Sequence, residues 1–259
     1  MFGAIVLRDV PKEEARIDWI RYQVQGGFRG FGMVPAGLHY VSVKHTEGHV
    51  GFWCWLKPQQ VIVKIFDEAG FFEDADAETQ EQYADLALSG AIGAALISYP
   101  LANFAEWFGS VMHIAEDDFP PVIHTQDPGE GSRFDRAFLV THGGNSATFL
   151  AEFQYAFAHW VISGDTASED VAAFERWKHL VLSAYNAGER ITQFSGVFSA
   201  LVDVLLRQFA VLGDEWFAPD SFLVSDQASW MAEDMQDSGV ADLPEKGQKF
   251  LAYLERRKR

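Results

Sequence analysis

The chain contains a single cysteine, Cys54, among its 259 residues. One thiol cannot close an internal disulfide, so a reducing compartment is expected, and an isolated cysteine in an apolar stretch is typically a small buried side chain. No apolar run approaches the roughly 20 residues that a membrane-spanning helix needs. Arg8 and Asp9 interrupt the first apolar run, which is not the pattern of a secretory signal. We therefore expect an intracellular protein, in the cytoplasm, the nucleus or both, with no membrane partner.

Basic residues are also scarce, since 20 Lys and Arg oppose 37 Asp and Glu and give a formal net charge of -17. Proteins bind nucleic-acid phosphates by neutralising them with Lys and Arg, so no direct nucleic-acid partner is expected. The one basic cluster, residues 256–259, is interpreted as a solvated terminal tail. In contrast, aromatic residues are abundant at 14%, which predicts a folded chain and not a disordered one.

The amino-terminal half shows the periodicity of strands. Apolar residues recur with a period near two from residue 38 to residue 65, and glycines or the Lys57-Pro58 step separate the runs. This pattern predicts consecutive antiparallel strands, after two earlier strands at 4–8 and 17–24. A helix is predicted to follow the acidic stretch 68–81, and a second one to follow Pro100, because proline suits the first turn of a helix. Residues 1–124 are thus predicted to form a β-rich domain, an antiparallel sandwich or barrel, with two peripheral helices.

The carboxy-terminal half has helical periodicity. Residues 125–133 are rich in proline, glycine and acids and are predicted to be a linker. Residues 134–259 carry apolar stripes at spacings of three and four, which predict an all-α domain. Thr166 and Glu169 form a capping-box pattern at the start of one helix. Residues 134–140 are left open as a strand or the entry to this domain. The predicted fold class is α+β multidomain.

A search for metal ligands gives one weak candidate. His45 and His49 flank a turn that contains Glu47, and the three could approach one another across it. However, a metal site needs firmer support than the tip of a hairpin provides, so an ordinary polar turn is favoured. The acidic cluster at 73–76 lacks the pattern of a calcium loop and is interpreted as a helix entry. No metal ligand is predicted.

A search for catalytic and cofactor-binding residues gives only fragments of known motifs. The segment Thr141-His142-Gly143-Gly144 is similar to the oxyanion loop of some hydrolases, but no Gly-x-Ser-x-Gly motif accompanies it. Residues 26–32 are rich in glycine, yet the Lys-Ser or Lys-Thr pair of a phosphate-binding loop does not follow. No catalytic residue and no cofactor are therefore predicted.

Two groups of residues carry a resemblance to a known family. In the strand-rich half they are Gly30, Met33, Pro35, Gly37, His39, Gly51, Phe52, Lys57 and Pro58. In the helical half they are Phe153, Phe157, Phe174, Glu175, Trp177 and Lys178. Together, in this order and at this spacing, they resemble the Aar-two family of splicing factors, and we refer to them as the signature residues.

The resemblance implies a non-enzymatic assembly factor. Members of this family escort the largest scaffold protein of the spliceosome during maturation of one small nuclear ribonucleoprotein, and they bind the RNase H-like and nuclease-derived regions of that scaffold. A hydrogen bond from His39 is expected to fix its loop. Phe174 and Trp177 are expected in the core, while Glu175 and Lys178 lie nearer the surface, within reach of a partner. The alternatives are an adaptor of the same fold with a non-spliceosomal client and, more distantly, a hydrolase.

Overall fold

The computed structural model describes residues 2–46, 48–126, 132–163 and 170–258. It divides into two compact units, Met1–Phe108 with Ile162–Ala167, and Gly109–Val161 with Ser168–Arg259. The first is built mainly of strands and the second of helices, so the predicted α+β fold class is confirmed. The domain limit at residue 124 and the linker at 125–133 stay predictions. Glu47, most of the linker and the capping box of Thr166 and Glu169 lie outside the described residues.

The first unit contains two sheets. Its strands are β1 (Phe2–Arg8), β2 (Glu14–Ile17), β3 (Ile20–Gln23), β4 (Gly30–Pro35), β5 (Gly37–His45), β6 (Gly48–Leu56), β7 (Val61–Phe66), β8 (Phe72–Asp74) and β9 (Ile97–Ser98). One sheet has the order β8-β7-β1-β4-β9 and the other the order β3-β2-β5-β6. A cluster of apolar side chains, including Ile5, Phe31, Val41 and Leu56, is buried and forms the main core of this unit.

Strand β7 corrects the expectation of consecutive antiparallel pairing. β5 and β6 pair in antiparallel fashion as predicted, but β7 pairs in parallel with β1 in the other sheet. The turn at Lys57, whose carbonyl accepts a hydrogen bond from the amide of Gln60, precedes this change of sheet. Val61 and Val63 are buried together with Val6, so β7 contributes to a second apolar cluster.

The single strand predicted at 17–24 is wrong, because this segment belongs to a hairpin. Ile17 of β2 pairs with Ile20 of β3 across a two-residue turn. Asp18, the first residue of that turn, has a φ of 53°, in the left-handed region that aspartate tolerates better than most residues. Apolar residues recur with a period near two on both sides of this turn, and the single shift of phase at Trp19-Ile20 is too short a signal to show the reversal of the chain.

Two helices complete the first unit, as predicted. Helix α1 (Ala77–Leu88) begins at Asp76, whose carboxylate accepts a hydrogen bond from the amide of Thr79 at 2.8 Å. Tyr83 and its helical neighbours pack on the Val6–Val63 cluster. Helix α2 (Leu101–Val111) follows Pro100. The expectation that residues 73–76 form a helix entry is therefore right only for Asp76, because Glu73 and Asp74 belong to strand β8 and pair with β7.

The described residues of the second unit form helices, turns and loops, and no strand. Among these residues the α-helices are α3 (Ser146–Ser163), α4 (Asp170–Tyr185), α5 (Arg190–Gln193), α6 (Ser195–Val211), α7 (Asp226–Asp237) and α8 (Leu243–Arg257). A π-helix at Asp135–Val140 answers the question left open for 134–140. Its residues Ala137 and Phe138 are buried, so this segment belongs to the helical unit.

Aromatic side chains fill the core of the second unit. Phe153, Phe157 and Trp177 are fully buried, and the Trp177 indole N–H donates to the side chain of Gln208 at 2.9 Å. This hydrogen bond satisfies the one polar atom that the indole takes into the core. Within the described residues, no helix is both long and apolar enough to cross a membrane.

Candidate functional site

A buried polar cluster in the first unit contains the signature residue His39. The carboxylate of Asp18 lies 2.9 Å from His39 Nδ1 and accepts a hydrogen bond from the hydroxyl of Tyr99 at 2.7 Å. Its other oxygen accepts from the amide of Tyr40 at 3.0 Å. His39 Nε2 lies 2.8 Å from the carbonyl oxygen of Pro35. The cluster therefore ties the hairpin turn between β2 and β3 to the loop between β4 and β5.

Both ring nitrogens of His39 face oxygens that can only accept, so both donate and the imidazole is a cation. Burial alone would lower the pKa of His39, but the charge of Asp18 and the hydrogen bonds to Asp18 and Pro35 together raise it above its usual 6.5. His39 has the hydrogen bonds that were expected to fix its loop. Because the ring is wholly buried and both nitrogens are engaged, it has no means of contacting a substrate.

Two signature glycines are explained by close approach of the backbone or of a side chain. A Cβ atom on Gly30 would lie 2.0 Å from the carbonyl oxygen of Ile5, in the adjacent strand. A Cβ on Gly51 would lie 2.4 Å from the Tyr40 hydroxyl. Only glycine fits either position. The remaining signature residues of this unit lie along β4, β5, β6 and the turn that follows, namely Met33, Pro35, Gly37, Phe52, Lys57 and Pro58.

The signature residues of the helical unit fall into a buried and an accessible set. Phe153 and Phe157 of α3 and Trp177 of α4 are wholly buried, while Phe174 is half-buried. Glu175 is exposed on the same helix. Lys178 is half-buried, and its ammonium lies 6.0 Å from the centre of the Phe174 ring. The buried residues thus hold the helices together, whereas Glu175 and Lys178 carry charges that a partner could reach. The roles of these two charged residues stay predictions.

The densest polar cluster of the helical unit surrounds Glu152 of α3, which is only 1% exposed. Arg176 of α4 donates from Nε and Nη2 to its two carboxylate oxygens at 2.9 and 2.8 Å. His142 Nε2 lies 2.7 Å from one of these oxygens, and the amide of His124 donates to the other at 2.6 Å. The His124 imidazole Nδ1 lies 3.1 Å from that same oxygen. One carboxylate therefore holds α3, α4 and two loops together.

These hydrogen bonds keep Glu152 charged. Burial would raise its pKa, but the hydrogen bond from His142, the hydrogen bonds and charge of Arg176, and the amide of His124 outweigh burial and lower the pKa to about 2. A bidentate guanidinium is the strongest such partner for a buried carboxylate. At neutral pH the cluster is therefore a buried ion pair flanked by two imidazoles.

A cleft of about 340 Å³ opens beside this cluster. Its lining residues come from the segment before α3 and from the first turns of that helix, and they are Asp118, Pro120, Pro121, Val122, His124, Thr141, His142, Asn145, Thr148 and Ala151. His142 is almost buried, but a third of the His124 side chain is exposed. The cleft is large enough for one amino-acid side chain or a small ligand.

Metal binding is a conceivable use of this cluster, because one donor atom each from His124, His142 and Glu152 lie within 4.8 Å of one another. However, both oxygens of Glu152 already bind Arg176. A dication would lie beside a buried guanidinium and would displace the imidazole hydrogen bonds, which is electrostatically unfavourable. The geometry suits a structural ion pair better than a metal centre.

This cluster was not predicted from the sequence, and no metal or catalytic site was predicted in its place. His142 was noticed only as part of a glycine-rich segment, and His124 was not considered as a functional residue. The sequence did contain two signals, namely Glu152 within the apolar stripe of α3 and Arg176 on the buried side of α4. Because a buried charge needs a partner of opposite charge, these two residues could have been expected to pair. Of the proposed candidates, His49 Nε2 lies 2.7 Å from Glu14, whereas the His45 ring packs on Phe66 at 5.2 Å, so the two serve different contacts.

Comparison with known proteins agrees with the signature. The family model for the AAR2 N-terminal domain matches residues 2–124, and that for the AAR2 C-terminal repeat region matches residues 125–258. A Mus musculus protein named Protein AAR2 homolog is 21% identical over 349 aligned positions, which cover 98% of this chain and 88% of that protein. A Caenorhabditis elegans protein of the same name is 28% identical over 107 positions, or 40% of this chain and 30% of that protein. Because the two family models cover almost every residue, the chain belongs to the AAR2 family.

Proposed function

We propose that this protein is a non-enzymatic assembly factor that binds and escorts the largest spliceosomal scaffold protein during maturation of a small nuclear ribonucleoprotein. The observation that carries the proposal is the match of both AAR2 family models over residues 2–258. The client role is the one that the signature residues imply. The client surfaces would be the RNase H-like and nuclease-derived regions of the scaffold, and binding would take place in the cytoplasm or the nucleus.

The charge of the protein supports a mechanism for this role. At a formal net charge of -17, its surface is complementary to the basic faces with which a scaffold holds RNA. A bound acidic factor would compete with RNA for those faces and would delay premature engagement. Glu175 is exposed on α4 beside the buried signature residue Trp177, which places one such acid on a rigid support.

Charge reversal of Glu175 tests this mechanism. The affinity of the purified protein for a recombinant RNase H-like region of a spliceosomal scaffold can be measured by isothermal titration calorimetry at physiological salt. Glu175→Lys is expected to weaken binding about tenfold, within the range for loss of an interfacial charge pair. Glu233→Lys, a reversal at another exposed helical site in the same unit, is the matched control. Equal affinities of all three proteins would contradict the mechanism.

An adaptor of the same fold with a non-spliceosomal client differs from the leading proposal only in its partner. The same calorimetric assay separates the two. A correctly folded protein that does not bind the RNase H-like region, at concentrations up to about 100 μM, favours the adaptor, since specific complexes are tighter than this. A saturable signal with that region favours the escort of the spliceosomal scaffold.

The His124–Glu152 pair favours ester hydrolysis as a second candidate, because a carboxylate that orients a histidine beside a cleft supplies two of the three members of a hydrolytic triad. The ten residues that line the cleft include no serine or cysteine as the third member, the nucleophile. The hydroxyls of Thr141 and Thr148 already donate to the carbonyls of Arg136 and Asn145, at 2.9 and 3.2 Å. Hydrolysis of p-nitrophenyl acetate that the His124→Ala variant loses would support this candidate, and equal rates for both proteins would reject it.

A further inference from the structure

The cleft beside Glu152 has an apolar side and a few polar atoms. Pro120, Pro121 and Val122 form an apolar side on the segment that precedes α3. Asp118, which is exposed, and His124 supply polar atoms to the same cleft. An apolar wall next to a few polar atoms is typical of a site for an amphipathic side chain, with a hydrocarbon stem and a polar head.

Glu152 decides which hydrogen-bonding role His124 presents to the cleft. The carboxylate can only accept, so the His124 Nδ1 that faces it at 3.1 Å carries the proton. The hydrogen bond of Nδ1 thus fixes the tautomer. When the ring is neutral, the other nitrogen, Nε2, carries no proton and is an acceptor. No partner for Nε2 is found among the described residues, and the side chain is 33% exposed. In this neutral form the imidazole offers a lone pair, and not a donor, to the cleft.

A second acceptor, the carboxylate of Asp118, lines the same cleft. The side-chain oxygen of Asn145 is already used by the amides of Ala147 and Thr148 at 2.9 and 3.3 Å, at the start of α3. Two acceptors in one cleft, the Asp118 carboxylate and Nε2 of the neutral His124 ring, disfavour an anion and favour a group that carries several donors.

We propose that this cleft binds the guanidinium group of an arginine side chain of a protein partner. The guanidinium has donors only, arranged in a planar fork, so it can reach His124 Nε2 and the Asp118 carboxylate together. Its aliphatic stem would pack on Pro120, Pro121 and Val122. The inference rests on the proposed function in so far as the arginine belongs to a bound protein, and a basic client suits the net charge of -17.

Binding of a small arginine derivative to the full chain tests the proposal without any client. N-acetyl-arginine-methylamide is titrated while the imidazole resonances of His124 and His142 are followed by NMR. Saturable shifts at millimolar concentration are expected. N-acetyl-norleucine-methylamide, which has a stem without the guanidinium, and inorganic phosphate are expected to leave these resonances in place.

Two neighbouring carboxylates provide the matched variants. Asp117 and Asp118 are both exposed, but only Asp118 lines the cleft. Asp118→Asn is expected to weaken binding of the arginine derivative at least about threefold, as for loss of one partly solvated charge contact. Asp117→Asn, which makes the same change in net charge, is expected to bind like the wild type.

Three results would overturn the proposal, namely unchanged His124 resonances, equal weakening by Asp117→Asn and Asp118→Asn, or stronger shifts with phosphate than with the arginine derivative. The test is separable from that of the proposed function. If the arginine derivative binds but the RNase H-like region does not, the assignment of the cleft is supported and the spliceosomal role is contradicted. If the region binds but the derivative does not, the spliceosomal role is supported and the assignment of the cleft is contradicted.

Discussion

The two carboxylate oxygens of Glu152 each accept one hydrogen bond from the guanidinium of Arg176, at 2.9 and 2.8 Å, and both side chains are buried. The pair joins α3 to α4 at a point where neither charge can be solvated by water. Its energetic importance lies less in the net gain of the pair than in the penalty that follows when one member is removed, because the other is then a buried uncompensated charge.

Replacement of Glu152 by Gln is therefore expected to destabilise the helical unit by about 3–5 kcal/mol, the usual cost of breaking a buried ion pair. The effect depends on pH. The pKa of Glu152 is lowered to about 2 from 4.5, so its contribution is fully present above pH 4.5 and is lost as the pH falls towards 2.

Denaturant unfolding, followed by the far-ultraviolet circular dichroism of the helices, measures this difference at pH 7 and at steps between pH 4.5 and 2. The difference in the free energy of unfolding between the wild type and Glu152→Gln should become smaller as the pH falls. Glu233→Gln, at an exposed site on α7, serves as the control and should stay within about 0.5 kcal/mol of the wild type. A gap that stays constant down to pH 2 would contradict the assigned role of Glu152.

The cation on His39 gives a pH dependence of opposite sign. Its pKa is raised above the unfolded value of 6.5, so its contribution is fully present below pH 6.5 and is lost as the pH rises through the folded-state value. The stability difference between wild type and His39→Gln should therefore be larger at pH 6 than at pH 9. Thermal melting of both proteins across this range measures it, and an equal difference at the two pH values would show that the buried ring is neutral.

Cys54 is expected to be chemically inert in the native protein. Burial, with a smaller effect of the nearby Asp18 charge, raises the pKa of its thiol to about 12, against a slight opposing effect of Lys64. Thiol–disulfide reagents react with the thiolate, so the native protein should not react with Ellman's reagent at pH 8, whereas the unfolded protein should release one equivalent. Because the chain has no other cysteine, the signal reports this site alone. Equal rates before and after unfolding would contradict the burial of Cys54.

Gly51→Ala is expected to destabilise the strand-rich unit by about 1–3 kcal/mol, the usual cost of overpacking. The added methyl group would meet the Tyr40 hydroxyl at 2.4 Å and the Ser42 Cβ at 2.6 Å. Gly93→Ala is the matched control, since no atom lies within 4 Å of its added Cβ and its φ is not in the left-handed region. Melting temperatures of the three proteins test this, and a larger loss for Gly93→Ala would contradict the packing of β5 on β6.

The alternation and the stripes of apolar residues were sufficient to predict the fold class, since they depend only on which face of an element is buried. They could not predict that β7 pairs with β1, because partner choice in a sheet depends on contacts distant in sequence. They also missed the turn at Asp18, where a two-residue reversal shifts the apolar alternation by only one position.

The signature residues pointed correctly to the family, but they do not include the buried cluster of the helical unit. Glu152 and Arg176 are 24 positions apart, and His124 and His142 come from two different loops. These four residues come together only in the folded protein, and their spacing along the sequence does not indicate that they are close in space. In contrast, the deep burial of Trp177 and Phe153 followed directly from helical periodicity.

The measurement that bears most directly on the proposed role is the mass of the complex that this protein forms with a recombinant RNase H-like region of a spliceosomal scaffold, determined by size-exclusion chromatography with multi-angle light scattering. The account predicts one stable species whose mass is the sum of the two chains, formed by the wild type and weakened in Glu175→Lys. Two separate peaks with the masses of the free proteins, at concentrations where both are folded, would contradict it.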